Sequence, residues 1–115
     1  MTYKRGDIVL VLFPDSNLRT AKRRPVLVIQ ADDLNTGLSQ TIVAMVTSNL
    51  SRASHPSRVS VDLKTPEGKK SGLLLPSVIM TDNLATVLYS AIDRRIGFWS
   101  KMATVDSALL RTMGI

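Results

Sequence analysis

At 115 residues, with 44% hydrophobic and 21% charged residues, the chain is sized for a single domain (1–115) with a real core, which excludes intrinsic disorder. Fifteen Lys and Arg against nine Asp and Glu leave a formal charge of +6, which favours a polyanionic partner such as nucleic acid or an acidic protein segment. The lack of cysteine excludes disulfides, a single histidine without an acidic cluster argues against a metal site, and no apolar run nears the ~20 residues of a membrane helix, so a cytoplasmic protein is expected.

The chain opens on Lys4-Arg5-Gly6-Asp7, a polar entry with a glycine turn. Ile8 to Phe13 is uniformly apolar and reads as a first strand ended by Pro14. Asp15 to Ala21 is rich in turn formers and reads as a surface loop. Then comes Lys22-Arg23-Arg24-Pro25-Val26-Leu27-Val28-Ile29, three cations against a proline and an aliphatic run. A second strand is expected from Arg24 to Gln30. Pro25, which cannot donate to a ladder, is expected at its start and pushes Arg24 into an extended conformation. That presents a guanidinium at the mouth of a rigid element, a geometry suited to phosphate; a plain solvated turn is the other reading.

Residues 31–37 fit one helical turn or an open loop. Thr41 to Thr47 is a third strand, Ser48 to Ser57 a loop, and Arg58 to Asp62 a half-exposed strand. Lys64 to Lys70 reads as a charged turn. Leu73-Leu74-Leu75 and Val78-Ile79-Met80 flank Pro76, which implies a bulge or a change of strand direction. Leu84 to Ala91 and Ile96 to Trp99 complete about seven short strands. Thr104 is the expected N-cap of one C-terminal helix of roughly ten residues that stops at Gly114. Short strands with frequent turns predict a small, mainly β, antiparallel barrel or sandwich with that helix.

RNA cleavage without metal proceeds by attack of the substrate's own 2′-hydroxyl. It requires a base, donors on the phosphorane oxygens and an acid for the leaving 5′-oxygen. Arg24 is the strongest cation for the middle task, while Arg23 and Lys22 add general phosphate attraction. Thr47-Ser48-Asn49, at a strand end, either orients a phosphate or ribose or caps a turn. Asp82, a lone acid after an aliphatic run, either serves as base, orients the arginine or closes a turn. Arg58 is a further substrate-contact candidate. His55 stands in an exposed-looking loop. Arg94-Arg95 reads as an RNA rim contact or a surface ion pair, and Trp99 as core or interface in preference to a base-stacking platform. No phosphate-cradling glycine loop, nucleophile elbow or metal motif is present.

Arg5-Gly6-Asp7-Ile8-Val9, the Arg24-Pro25-aliphatic stretch, Val46-Thr47-Ser48 and Ser77-Val78-Ile79-Met80-Thr81-Asp82, in this order and spacing, resemble the MazF/PemK family of type II toxin–antitoxin ribonucleases. The resemblance implies a small SH3-like β-barrel with a C-terminal helix, acting as a homodimer without cofactor or metal. It implies sequence-specific cleavage of single-stranded mRNA to a 2′,3′-cyclic phosphate and a 5′-hydroxyl, which inhibits translation and growth. It also implies neutralisation by a cognate antitoxin whose acidic, disordered C-terminal segment covers the RNA groove. Residue by residue it assigns Arg24, Thr47 and Asp82 to catalysis. Lys22, Arg23, Ser48, Asn49 and Arg58 then become substrate contacts. Met80 stands where PemK-like members carry an arginine, and His55 does not align with the histidine some members use, which leaves the proton donor unassigned. Two rival readings are a CcdB-like inhibitor of DNA gyrase without enzymatic activity, and a nucleic-acid-binding barrel that cuts nothing.

Overall fold

The computed structural model describes residues 3–14 and 17–115; Asp15 and Ser16, the first two residues of the expected loop before Ala21, lie outside them. Among the described residues six strands, where about seven were expected, form one antiparallel sheet: β1 (Asp7–Pro14), β2 (Ala21–Val28), β3 (Gln40–Thr47), β4 (Arg58–Val61), β5 (Ser77–Leu88) and β6 (Ile92–Phe98), in the order β4-β5-β3-β2-β1-β6. A short helix, α1 (Pro66–Lys70), follows β4, and α2 (Met102–Met113) ends the chain.

β5 and β6 lie at opposite reaches of the sheet, with β3, β2 and β1 between them. Yet a single 3₁₀ turn, Tyr89–Ala91, joins them. Strands lie ~4.8 Å apart and a residue spans at most ~3.6 Å, so so short a link demands that the sheet curl until its ends approach. The outcome is the barrel-like class expected, as a curled rather than a closed sheet. Curling buries both faces. Inside it, Val9, Val11, Val26, Val28, Val43, Val87 and Ile92 form one core, flanked by Tyr3 and Tyr89. On the other face Ile8, Leu27, Ala44, Val46 and Ile79 pack beneath α2 through Trp99, Val105 and Ala108. This double burial explains why the strands read as continuous aliphatic runs instead of clean alternation.

Several boundaries differ from expectation. β2 begins at Ala21, so the cationic run is strand and Pro25 is its fifth residue. The β2–β3 ladder starts only at Val26↔Met45, and Pro25 sits one residue beyond it, where its missing N–H costs no ladder bond. The stretch from Lys64 to Lys70 contains α1, because Thr65 caps it by accepting the Gly68 N–H at 3.0 Å and Pro66 occupies the first turn. The two strands expected around Pro76 and from Leu84 to Ala91 are one long β5, broken only by Thr81-Asp82-Asn83: Met45 pairs with Met80, but Ala44 pairs with Leu84. The three leucines before Pro76 belong to no strand. β6 starts four residues before Ile96. α2 starts at Met102 with Lys101 as N-cap. Thr104 sits inside the first turn, donating to the Lys101 carbonyl at 2.6 Å and accepting from Trp99 Nε1 at 3.3 Å. Gly114 ends it in a left-handed conformation, as expected.

Candidate active site

Beyond Val26↔Met45 the first half of β2 pairs with β1 alone, and β2 and β3 part. Arg24 and Thr47 each lie two residues past that last pair, where the ladder has ended. Strand alternation gives both the same face, Arg24 with Val26 and Val28, Thr47 with Val43 and Met45. A cavity of about 450 Å³ opens at the parting. Arg23, Arg24, Thr47 and Ser48 line one part of it, Arg94 and Ile96 of β6 another, and residues 72–75 close it. The structure thus joins Arg24, Arg23, Thr47 and Ser48.

Thr47 is pre-set. Its hydroxyl oxygen accepts the Asn49 N–H at 3.1 Å, which leaves its own proton to donate outward. Asn49 is spent on the turn, its side-chain oxygen accepting the Ser51 N–H at 3.0 Å, and it does not line the cavity. Lys22, exposed on β2 opposite Phe13, also lies outside it.

Arg94, expected as either an RNA rim contact or a surface ion pair, lines the cleft and also neighbours Asp93. Register carries it into the cleft: Leu10 of β1 pairs with Pro25 on one side and with Arg94 on the other. Asp93 sits 3.3 Å from Arg23 Nε and 3.7 Å from Arg94, so one carboxylate spaces two guanidiniums without cancelling them. Arg95 turns away to Asp7 at 2.9 Å and covers the Phe98 ring. The Asp93-Arg94-Arg95 cluster was the available signal; which arginine faces the cleft is a matter of register alone.

Asp82 does not line the cavity with Arg24 and Thr47. It projects from the β5 bulge and pairs with Arg58: Nε lies 2.8 Å from Oδ1, and the Arg58 NH2 group donates to Oδ2 at 3.1 Å. Though the resemblance assigns it to catalysis with Arg24 and Thr47, the bulge sets Asp82 apart from β3. Hydrogen bonding from Arg58 holds the Asp82 carboxyl below its ordinary value. His55 is exposed nearby, its Nδ1 2.7 Å from the Ser57 hydroxyl. Trp99 is core, as expected.

The cleft therefore offers three guanidiniums and a hydroxyl donor on rigid strands, a set that binds and polarises a phosphodiester. Among the described residues no group of three His, Cys, Asp or Glu could hold a metal ion, and no helix is long and apolar enough to cross a membrane.

A family model described as PemK-like, MazF-like toxin of type II toxin–antitoxin system matches residues 4–113. The Endoribonuclease MazF of Staphylococcus epidermidis is 32% identical over 115 residues, covering 97% of this chain and 92% of that protein. Among solved structures, the MazE-MazF complex (Form-III) from Deinococcus radiodurans has a TM-score of 0.76 at 17% identity, covering 100% of this chain and 99% of that one. An endoribonuclease in complex with its cognate antitoxin from a mycobacterial species reaches 0.74 at 17% identity, over 99% and 97%. At such identity the structural likeness speaks for the fold.

Proposed function

Since the chain belongs to the PemK-like, MazF-like toxins of type II toxin–antitoxin systems and is an endoribonuclease toxin, we propose that it cleaves single-stranded RNA without metal, at the parting of β2 and β3. The carrying observation is the cleft where the β2–β3 ladder ends, lined by Arg24 and Thr47 together with Arg23 and Arg94. The membership sets aside the gyrase-inhibiting and non-catalytic alternatives.

In this reading the substrate 2′-oxygen attacks phosphorus, the P–O2′ bond forms as the P–O5′ bond breaks, and the products are a 2′,3′-cyclic phosphate and a 5′-hydroxyl. Arg24 meets the charge that grows on the non-bridging oxygens. The Thr47 proton, left available by the Asn49 contact, donates to one of them. Arg23 and Arg94 hold the neighbouring phosphates, spaced by Asp93. Ser48 lies beside the phosphate path. Among the described residues the cavity lining includes no carboxylate or imidazole; in this reading the 2′-hydroxyl proton leaves to solvent and the 5′-oxygen takes one from solvent, with Arg24 charged throughout. Asp82 lies outside this cavity and pairs with Arg58, so in this reading it holds Arg58 as a positioned cation and does not serve as the base.

An acidic antitoxin segment would compete with RNA for the same guanidiniums, ordering as it docks. Two copies of the chain would form the working homodimer. The decisive experiment is end-mapping of RNA incubated with purified protein in chelator. Cyclic-phosphate ends are expected from wild type, with cleavage by Arg24→Ala reduced by about 10²–10³-fold. Undiminished cleavage by that variant would refute the site.

A further inference from the structure

Part of the same cavity lining is unlike the guanidiniums. Residues 72–75 form a strap with three consecutive leucines. Leu73 packs into the core beneath α2, but Leu74 is 92% exposed and Leu75 59% exposed at the cavity mouth. Exposed side chains of this size beside a cationic cleft call for an occupant.

The strap is fixed in place. Gly72 holds φ +74°, and a Cβ there would stand 2.0 Å from the Ile96 carbonyl oxygen, so the strap lies directly on β6. The Leu73 N–H donates to Ser71 Oγ at 3.2 Å, and Ser77 Oγ donates to the Leu75 carbonyl at 2.8 Å. Pro76 stiffens the exit. The leucines are thus presented by a rigid backbone, not by a loose loop.

We propose that Leu74 and Leu75 form the base-holding wall of the cleft, packing against one unstacked nucleobase next to the scissile bond while Arg23, Arg24 and Arg94 hold its phosphates. The proposal rests on reading the cleft as the RNA site. A nucleotide has two chemistries, a charged backbone and a flat, weakly polar base, and this cavity has two walls to match. Single-stranded RNA is read with its bases splayed onto side chains, and about 450 Å³ lies within the usual range of ligand pockets. An acidic protein segment would be served by the guanidiniums alone and gives the leucines no work. Leu74 and Leu75 then govern which base is accepted at one position, and so contribute to sequence preference.

The test is a cycle between enzyme and substrate. A set of single-stranded RNAs carries one abasic ribose, walked over the three nucleotides on each side of the cleavage site. It is cut by wild type and by a Leu74→Ala/Leu75→Ala double variant. At one position the abasic site should cost wild type about tenfold in kcat/KM, mostly in KM, and cost the double variant nothing further. Intact RNA should lose the same factor in the variant, and Leu74→Met/Leu75→Met should restore it. Both leucines are largely exposed, so the urea unfolding midpoint should stay where it is in wild type. Independent, multiplicative losses, or no loss at any position, overturn the proposal. So does a double variant whose only change is a lower mass in sedimentation, which makes the strap a contact between copies. Full activity of Arg24→Ala would instead strike the catalytic assignment, and the cycle would still report on the strap.

Discussion

Thr47, proposed above as a donor to the phosphate, shows how one local hydrogen bond can prepare a hydroxyl. With its oxygen engaged by the Asn49 N–H, its hydroxyl points its proton away from the turn. Thr47→Val, which keeps the shape and removes the donor, should lower kcat by about 10–100-fold with little change in KM; single-turnover kinetics checks this. Asp82 is a different case. Its folded pKa lies below the ordinary 3.8, chiefly through the hydrogen bond from Arg58. The contribution to stability is therefore full above the unfolded value and is lost as pH falls through the lower folded one. Asp82→Asn should destabilise at pH 7 by under about 1 kcal/mol, because the carboxylate is well exposed, and the gap to wild type should close below about pH 4. Urea titrations at both pH values measure it. The variant should still cleave RNA; loss of cleavage with intact fold would restore Asp82 as the base.

At the scale of elements, β2 carries two duties in one strand. Its second half, Val26 to Val28, is buried between β1 and β3, and its first half pairs with β1 alone. Pro25 marks the change, since a residue without N–H belongs where the second ladder stops. The β5 bulge does the reverse, pushing Thr81-Asp82-Asn83 out of a ladder that continues on both sides. Thr81 turns inward, donating to the Ser57 carbonyl at 2.6 Å, and Asp82 turns outward to Arg58. The strap at residues 72–75 depends on one glycine. Gly72→Ala meets both a left-handed φ and the Ile96 carbonyl, and should cost at least about 1 kcal/mol while moving the strap. A lower urea midpoint together with weakened RNA cleavage is the expected result.

For the whole molecule, the +6 charge is not spread evenly in effect. Arg95 and Arg5 are held by Asp7 and Asp106, and Arg58 by Asp82, whereas Arg23 and Arg94 share a single carboxylate, that of Asp93, beside the cleft. RNA affinity should therefore fall steeply with salt, by roughly 0.7 in log K per log salt for each phosphate held by a cation. Arg94→Ala should reduce that slope by about 0.7 and raise KM about five- to tenfold, leaving kcat in place. KM measured between 50 and 200 mM salt decides it. An unchanged slope would remove Arg94 from the phosphate path.

How much of this was legible in the chain follows from the range of each interaction. Strands β1 and β3, the helix stop at Gly114, the burial of Trp99 and the cation before Pro25 were readable, since propensity, capping and the missing proline donor act within a few residues. Order and spacing of the motifs also carried the family. The length of β5, the curl of the sheet, the choice of Arg94 over Arg95 and the separation of Asp82 from Arg24 were not. Each depends on which residues pair across strands far apart in sequence, and a single bulge resets that register without leaving a local mark. The chemistry of the groups was written in the sequence; their company was decided by the sheet.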